Sequence, residues 1–292
     1  MSTVAPPITG SEARIARRET LRQLLRSPTF VTGAAIVGFW VFCALFGSAI
    51  APHDPQDQSF DPLLRPGGAH LFGTDSLGRD VFSRVLLGAS DILKIAPLAT
   101  LLGIAGGTVI GLVTGYFRGL TDNAISRIVD AWLALPVIVI AVTALVALGT
   151  STGTLVVVIG VVFMPIVSRT VRAAVLAERQ LEYVQAARLR GERAPYVMFV
   201  EILPNVMGPI VVEATVRLGY AIFAVAGLTF LGFGVQPPAP DWALQISDGY
   251  VLLNDTAHQG NYWIVLFPGL AVASLVVGVN LIADGIARVL QR

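Results

Sequence analysis

The sequence predicts an all-α polytopic membrane protein with six transmembrane helices. Three observations predict it. Of 292 residues, 54% are hydrophobic and only 13% charged, with a mean hydropathy of +0.73. A soluble domain carries about 25% charged residues, so this chain lacks the side chains for a wetted surface. The apolar residues come in long continuous runs rather than in alternation, which selects helices over a barrel. The basic residues are shared unevenly among the connecting segments, as the positive-inside rule requires of a chain threaded through a bilayer.

A helix needs about 20 apolar residues to cross the hydrocarbon. Runs at 30–51, 92–117, 128–148, 153–172, 207–235 and 262–284 qualify, the fourth being the weakest because Pro165 and Arg169 fall near its end. The first run is preceded by basic residues and ends in Ala49-Ile50-Ala51, as a signal peptide would. It exceeds the roughly 7–15 residues of a signal core and Pro52 follows directly, so it reads as a retained anchor.

The cations then set the orientation. All but Lys94 are arginine. Arg14, Arg17, Arg18, Arg22, Arg26, Arg118, Arg127, Arg169, Arg172, Arg179, Arg188, Arg190, Arg193, Arg288 and Arg292 fall on one side, and Arg65, Arg79 and Arg84 on the other. Both termini are therefore expected in the cytoplasm, in agreement with an even number of spans. The chain divides into a cytoplasmic tail (1–29), a first span with an external amphipathic segment (30–91), and a five-helix core (92–292). That core holds a cytoplasmic loop at about 173–206 and an external loop at about 236–261.

Within the external segment, Thr74 is expected to cap a short helix. Asp75 with Arg79 and Asp80 with Arg84 stand four apart, and Leu77, Val81 and Val85 form an apolar stripe. This predicts an amphipathic helix on the outer interface ahead of the second span, most simply a structural one. In the later external loop Pro237, Pro238 and Pro240 force an extended start. Trp242, Leu244 and Ile246 follow, placed to dip back towards the membrane.

Catalytic chemistry finds no support. His53, His70 and His258 all fall in external loops, where solvated side chains are expected, and their spacing matches no metal-ligand pattern. Cys43 is the only cysteine, which excludes an intrachain disulfide and a cysteine cluster. Neither G-x-S-x-G nor H-E-x-x-H occurs. A P-loop needs lysine before Ser or Thr, whereas Lys94 precedes Ile95. The chain is not expected to be an enzyme, to carry a cofactor or metal, or to bind nucleic acid. If it serves ATP-driven transport, ATP and Mg belong to partner subunits.

Charges inside spans are functional candidates by default. Glu213 and Arg217, four apart in the fifth run, are expected to form an intramembrane ion pair. Asp284 with Arg288 repeats the spacing, and Asp130 lies beside Arg127. All sit near cytoplasmic ends, where pairing and snorkelling accommodate them, which argues against a proton-coupled carrier. Gly103, Gly107, Gly111 and Gly115 line one face of the second run. They allow close approach of another helix, either within the chain or across a subunit interface.

One polar island interrupts the apolar runs: EYVQAARLRGERAPYVMFVEILPN, Glu182 to Asn205. Its AARLRG and LPN resemble the cytoplasmic EAA loop of ABC importer permeases, with Gln185 in place of the usual glutamate and Glu201 in place of isoleucine. FGTDSLGRDVFSRVLLGA, LTFLGFGVQPPAPDWALQISDG and LFPGLAVASLVVGVNLIADGIARVL resemble landmarks of the C-type permeases for dipeptides, oligopeptides and nickel. The resemblance spans about residues 30–290. It implies a type I ABC importer fold, a homologous second permease as heterodimer partner, two ATPase subunits and an extracytoplasmic solute-binding protein. It also implies a bacterial plasma membrane location and a short-peptide substrate. Tyr183, Ala186, Ala187, Arg188, Gly191, Leu203 and Pro204 become the expected ATPase-coupling residues. The small Ala186 and Ala187 would seat a helix in the ATPase, Gly191 would turn the chain out of it, and Arg188 and Arg190 would meet partner acids. Pro237, Pro238 and Trp242 become a candidate wedge near the binding protein. The alternatives are the same complex importing nickel chelate or another small solute, a stand-alone secondary carrier, or an assembly scaffold.

Overall fold

The computed structural model describes residues 19, 22–254 and 260–290; the expectations for Arg14, Arg17, Arg18, His258 and Arg292 lie outside these. Among the described residues the regular elements are helices, with one isolated bridge between Thr74 and Asp80. Helix α1 is Pro28–Ile50, α2 Val81–Phe117, α3 Gly119–Leu133, α4 Val137–Leu148, α5 Thr152–Glu178 and α6 Glu182–Leu189. Helix α7 is Met207–Phe230, α8 Trp242–Tyr250 and α9 Trp263–Leu290.

Helices α1, α2, α5, α7 and α9 are each long and apolar enough to cross a membrane. The expected third span, 128–148, is not one straight helix. Helices α3 and α4 meet at 88° across a short break. Pro136, at the N-cap of α4, has no N–H to continue the α3 ladder, and it disfavours helical backbone at Leu135. Helix α4 alone rises about 18 Å, short of the ~30 Å hydrocarbon. Among the described residues, five helices are thus long and apolar enough to cross, or six if the bent pair is one span.

The predicted interfacial helix also differs. Thr74 caps nothing: its hydroxyl donates to the Asp61 carbonyl at 2.7 Å and accepts from the Leu64 amide at 2.8 Å. Residues 74–80 form a tight loop, and Val81 begins the 37-residue α2 that continues into the second span. The cap is Asp80, whose carboxylate accepts from the Ser83 amide at 2.8 Å. Helix α2 is thus about 56 Å long and extends past the bilayer core.

The glycine stripe of α2 packs within the chain. A Cβ on Gly107, Gly111 or Gly115 would lie 2.5, 2.7 and 2.7 Å from the Cβ atoms of Val167, Val171 and Val175. These close approaches let α2 and α5 meet backbone to backbone along their length. Helix α1 lies on α9 by the same device, Gly33 against the Gly278 carbonyl.

Candidate functional site

Helix α6 sits at one end of the bundle on a cluster of fully apolar side chains. Val184 and Ala187 pack on Leu112 of α2, Val171 and Val175 of α5, and Val197 and Ile202 of the segment that follows. In that segment, Val197–Ile202 widens into a π turn. Pro204, just beyond, has no N–H for the Val200 carbonyl, so the α ladder cannot run through.

The two alanines therefore divide. Ala186 is exposed, but Ala187 is 0% exposed and faces its own chain, because the eight-residue helix has to bury one side to stay folded. The expectation that Ala187 seats in a partner is corrected. The outward ridge is Leu181, Gln185, Ala186 and Leu189, with Leu189 89% exposed. Leu189 and Leu181 were missed in the sequence; a leucine at the N-cap and another at the last position of the helix were the available signal.

The helix ends in a Schellman motif: the Glu192 amide donates to the Ala187 carbonyl at 3.2 Å and the Gly191 amide to Arg188 at 3.0 Å. Gly191 has φ +77°, which its lack of a Cβ permits. Tyr183 is the hub of the platform. Its hydroxyl donates to Glu178 of α5 at 2.7 Å and accepts from Asn205 at 3.2 Å. Burial, and then the Glu178 carboxylate, push the phenol well above its ordinary pKa. Leu203 is half-buried against the same cluster, whereas Pro204 is exposed.

The arginines have partners at home. The Arg188 guanidinium lies 4.5 Å from the centre of the Tyr116 ring, at the end of α2. Arg190 approaches Glu201 at 3.4 Å and Glu192 at 3.8 Å, and the Gln185 amide donates to the Gln180 carbonyl at 3.0 Å. Both departures from the family pattern, Gln185 and Glu201, thus hold intrachain bonds. Burial, with Arg188 and Arg118 close by, pushes the Arg179 pKa down.

Glu213 and Arg217 pair as expected, at 2.7 Å, with Thr170 donating to the same carboxylate at 3.3 Å. The guanidinium lies 4.9 Å from the Tyr220 ring, facing an apolar cavity of about 360 Å³ lined by Val137, Ile138, Phe163 and Phe223. Other expected pairs are re-sorted. Asp130 bonds Arg169 rather than Arg127, Asp122 bonds Arg172, and Arg288 donates to Thr29 at 3.4 Å rather than meeting Asp284.

At the opposite end of α2, the segment before it and the loop around α8 form one assembly. Asp75 and Arg79 pair at 2.6 Å, though in a loop rather than on a helix face. Arg84 misses Asp80 and instead donates to the carbonyls of Pro55 and Ala239 at 3.0 and 3.3 Å. Trp242 is 0% exposed: its indole donates to the Val85 carbonyl at 2.7 Å and sits edge-on against Trp40. Its side chain is not available as a wedge, because the close approach allowed by Gly88 draws it into the bundle. Pro237 and Pro238 remain exposed. Asp241 caps α8 through the amides of Ala243 and Leu244. Burial raises its pKa to about 6 against those two bonds. His70 is also not solvated; it is 7% exposed and bonded to Asp80 at 2.8 Å.

Residues 107–292 match the family described as binding-protein-dependent transport system inner membrane component. The chain belongs to this family. Residues 17–66 match the N-terminal transmembrane domain of oligopeptide transport permease C. The dipeptide transport system permease protein DppC of Escherichia coli K12 is 40% identical over 273 residues, covering 91% of this chain and 89% of that one. The glutathione transport system permease protein GsiD of Pectobacterium atrosepticum is 33% identical over 293 residues, covering 100% and 96%. In structure, this permease is similar to a chain of the inward-facing MetNI methionine ABC transporter, with a TM-score of 0.56 at 21% identity, covering 72% of this chain and 97% of that one. The fold is therefore that of a type I ABC importer permease, and the chain is a multi-pass membrane protein.

Proposed function

We propose that this permease forms half of the translocation path of an ATP-driven importer for short peptides in the bacterial plasma membrane, with both termini cytoplasmic. Its partners in this reading are a homologous second permease, two ATPase subunits and an extracytoplasmic solute-binding protein. ATP and Mg are held by the ATPases. The observation that carries the coupling role is α6: a short helix whose outward ridge exposes Leu181, Ala186 and Leu189, clamped to α5 and to the α7 approach through Tyr183, Glu178 and Asn205. A helix fixed on one side and bare on the other converts a push from a docked partner into movement of α5 and α7. Ala186 and Leu189 form its contact face, Gly191 and Arg188 hold its end, and Leu203 and Pro204 set the turn into α7. The peptide class rests on the relatives named for dipeptide and glutathione transport.

The test is uptake of a radiolabelled dipeptide by the assembled transporter in vesicles. Leu189→Arg is expected to abolish ATP-dependent uptake while the permease stays in the membrane and the ATPases still hydrolyse ATP. Unimpaired uptake by this variant rejects the coupling role. Gradient-driven uptake by the permease alone, without ATPase subunits, rejects the importer reading in favour of a carrier. Uptake of nickel chelate in place of peptide rejects the substrate class.

A further inference from the structure

Three donor-bearing side chains from three separate segments converge beside the start of α2. His53 comes from the turn after α1, His70 from the loop before Gly73, and Asp80 from the α2 N-cap. One ligand-capable atom of each lies within 4.8 Å of the other two. The two imidazole rings are 5.0 Å apart, and Phe60 closes the side with its ring 4.9 Å from His53 and 4.6 Å from His70.

The carboxylate is aimed. Asp80 Oδ2 is occupied by the Ser83 amide at 2.8 Å and the Ser83 hydroxyl at 2.7 Å, which leaves Oδ1 turned to His70 Nδ1 at 2.8 Å. The same Ser83 hydroxyl accepts from the His53 amide at 3.2 Å, so one serine fixes both the acid and the backbone of the second histidine. A bond between His70 and Asp80 accounts for two of the three groups. It does not account for a second imidazole held beside them, with only a 3.4 Å contact to the Ala69 carbonyl for its Nε2.

We propose that His53, His70 and Asp80 form a binding site for a late first-row divalent cation such as Zn(II). Two imidazoles and one carboxylate suit that class, which takes His nitrogen and carboxylate oxygen at about 2.0–2.2 Å. Tetrahedral donors at such bond lengths stand roughly 3.3 Å apart. The present spacing brackets that value, so the site closes by a small shift of the half-exposed His53 ring, and water completes the fourth position. The ion would take the place of the hydrogen bond between His70 and Asp80, with each imidazole giving it one nitrogen and the carboxylate one oxygen. Ser83 supports the site from behind, holding Asp80 as outer-shell donors hold ligating carboxylates. The ion would staple the turn after α1 to the loop and N-cap that the Thr74–Asp80 bridge already joins.

The test uses the full chain in nanodiscs, without a polyhistidine tag, in a His258→Gln background so that His53 and His70 are its only histidines. Titration with Zn(II) alone is expected to show one saturable site per chain. Co(II) is expected to occupy it with the visible absorption of a tetrahedral N/O site. His53→Asn, at a half-exposed position, is expected to weaken Zn(II) binding roughly tenfold or more at unchanged helical content, and His70→Asn to abolish it. No saturable site, or a site that survives His53→Asn in a folded chain, overturns the assignment.

Discussion

The Trp242 indole donates to the Val85 carbonyl across 2.7 Å, joining residues 157 positions apart and drawing α8 into the bundle. Trp40 meets the same indole edge-on at 4.7 Å. Trp242→Ala is expected to cost about 3–5 kcal/mol, the usual loss for a buried tryptophan. Trp242→Phe, which keeps the ring packing but loses the donor, is expected to cost about 1 kcal/mol from the bond itself. Chemical unfolding in mild detergent measures both. Equal losses would place the stabilisation in the hydrogen bond rather than the packing.

The same substitution at two glycines is expected to have opposite effects. Gly107→Ala forces a methyl to 2.5 Å from the Val167 Cβ and pushes α2 off α5, costing about 1–3 kcal/mol or more. Gly227→Ala, in α7 with nothing within 4 Å of its would-be Cβ, is expected to be neutral or to stabilise by up to about 1 kcal/mol. Thermal midpoints of the two variants check the contrast.

Asp241 gives a pH dependence of definite sign. Its folded pKa of about 6 lies above the ordinary aspartate value, so the folded state holds the proton more tightly than the unfolded one. The contribution is fully present below about pH 4 and is lost as pH rises through about 6; its full size is on the order of 3 kcal/mol. Asp241→Asn keeps an oxygen for the cap at Ala243 and Leu244 but cannot ionise. A stability profile across this window is expected to flatten in the variant. An unchanged slope would assign the titration to other groups.

The proposed orientation is read out by cysteine labelling. Cys43 is 1% exposed and serves as a silent background. Leu77→Cys, at a half-exposed position, is expected to react with an impermeant maleimide on intact spheroplasts. Leu189→Cys is expected to react only after lysis. The reverse pattern would invert the topology.

The apolar runs were legible because crossing a bilayer depends on composition over about 20 residues. The ends were less so. Asp80, three residues before Ser83, was a readable cap, yet the charged residues around it suggested a separate helix. Pro136 was visible, but the 88° turn depends on how α3 and α4 pack. The burial of Trp242 and His70 was not legible, because the groups that cover them come from other parts of the chain. On α6 the alanine pair was readable, but which of the two faces inward is decided by Val171, Val175 and Ile202.

Helix α2 runs from the Asp80 cap to Tyr116, where Arg188 of α6 rests, and the glycine stripe leaves it no slack against α5 for much of that distance. Two helices seated backbone to backbone resist sliding past each other. The Trp242 assembly and the α6 platform are bolted to the two ends of α2. In the proposed importer, a tilt imposed at one end is expected to reach the other through the packed pair itself.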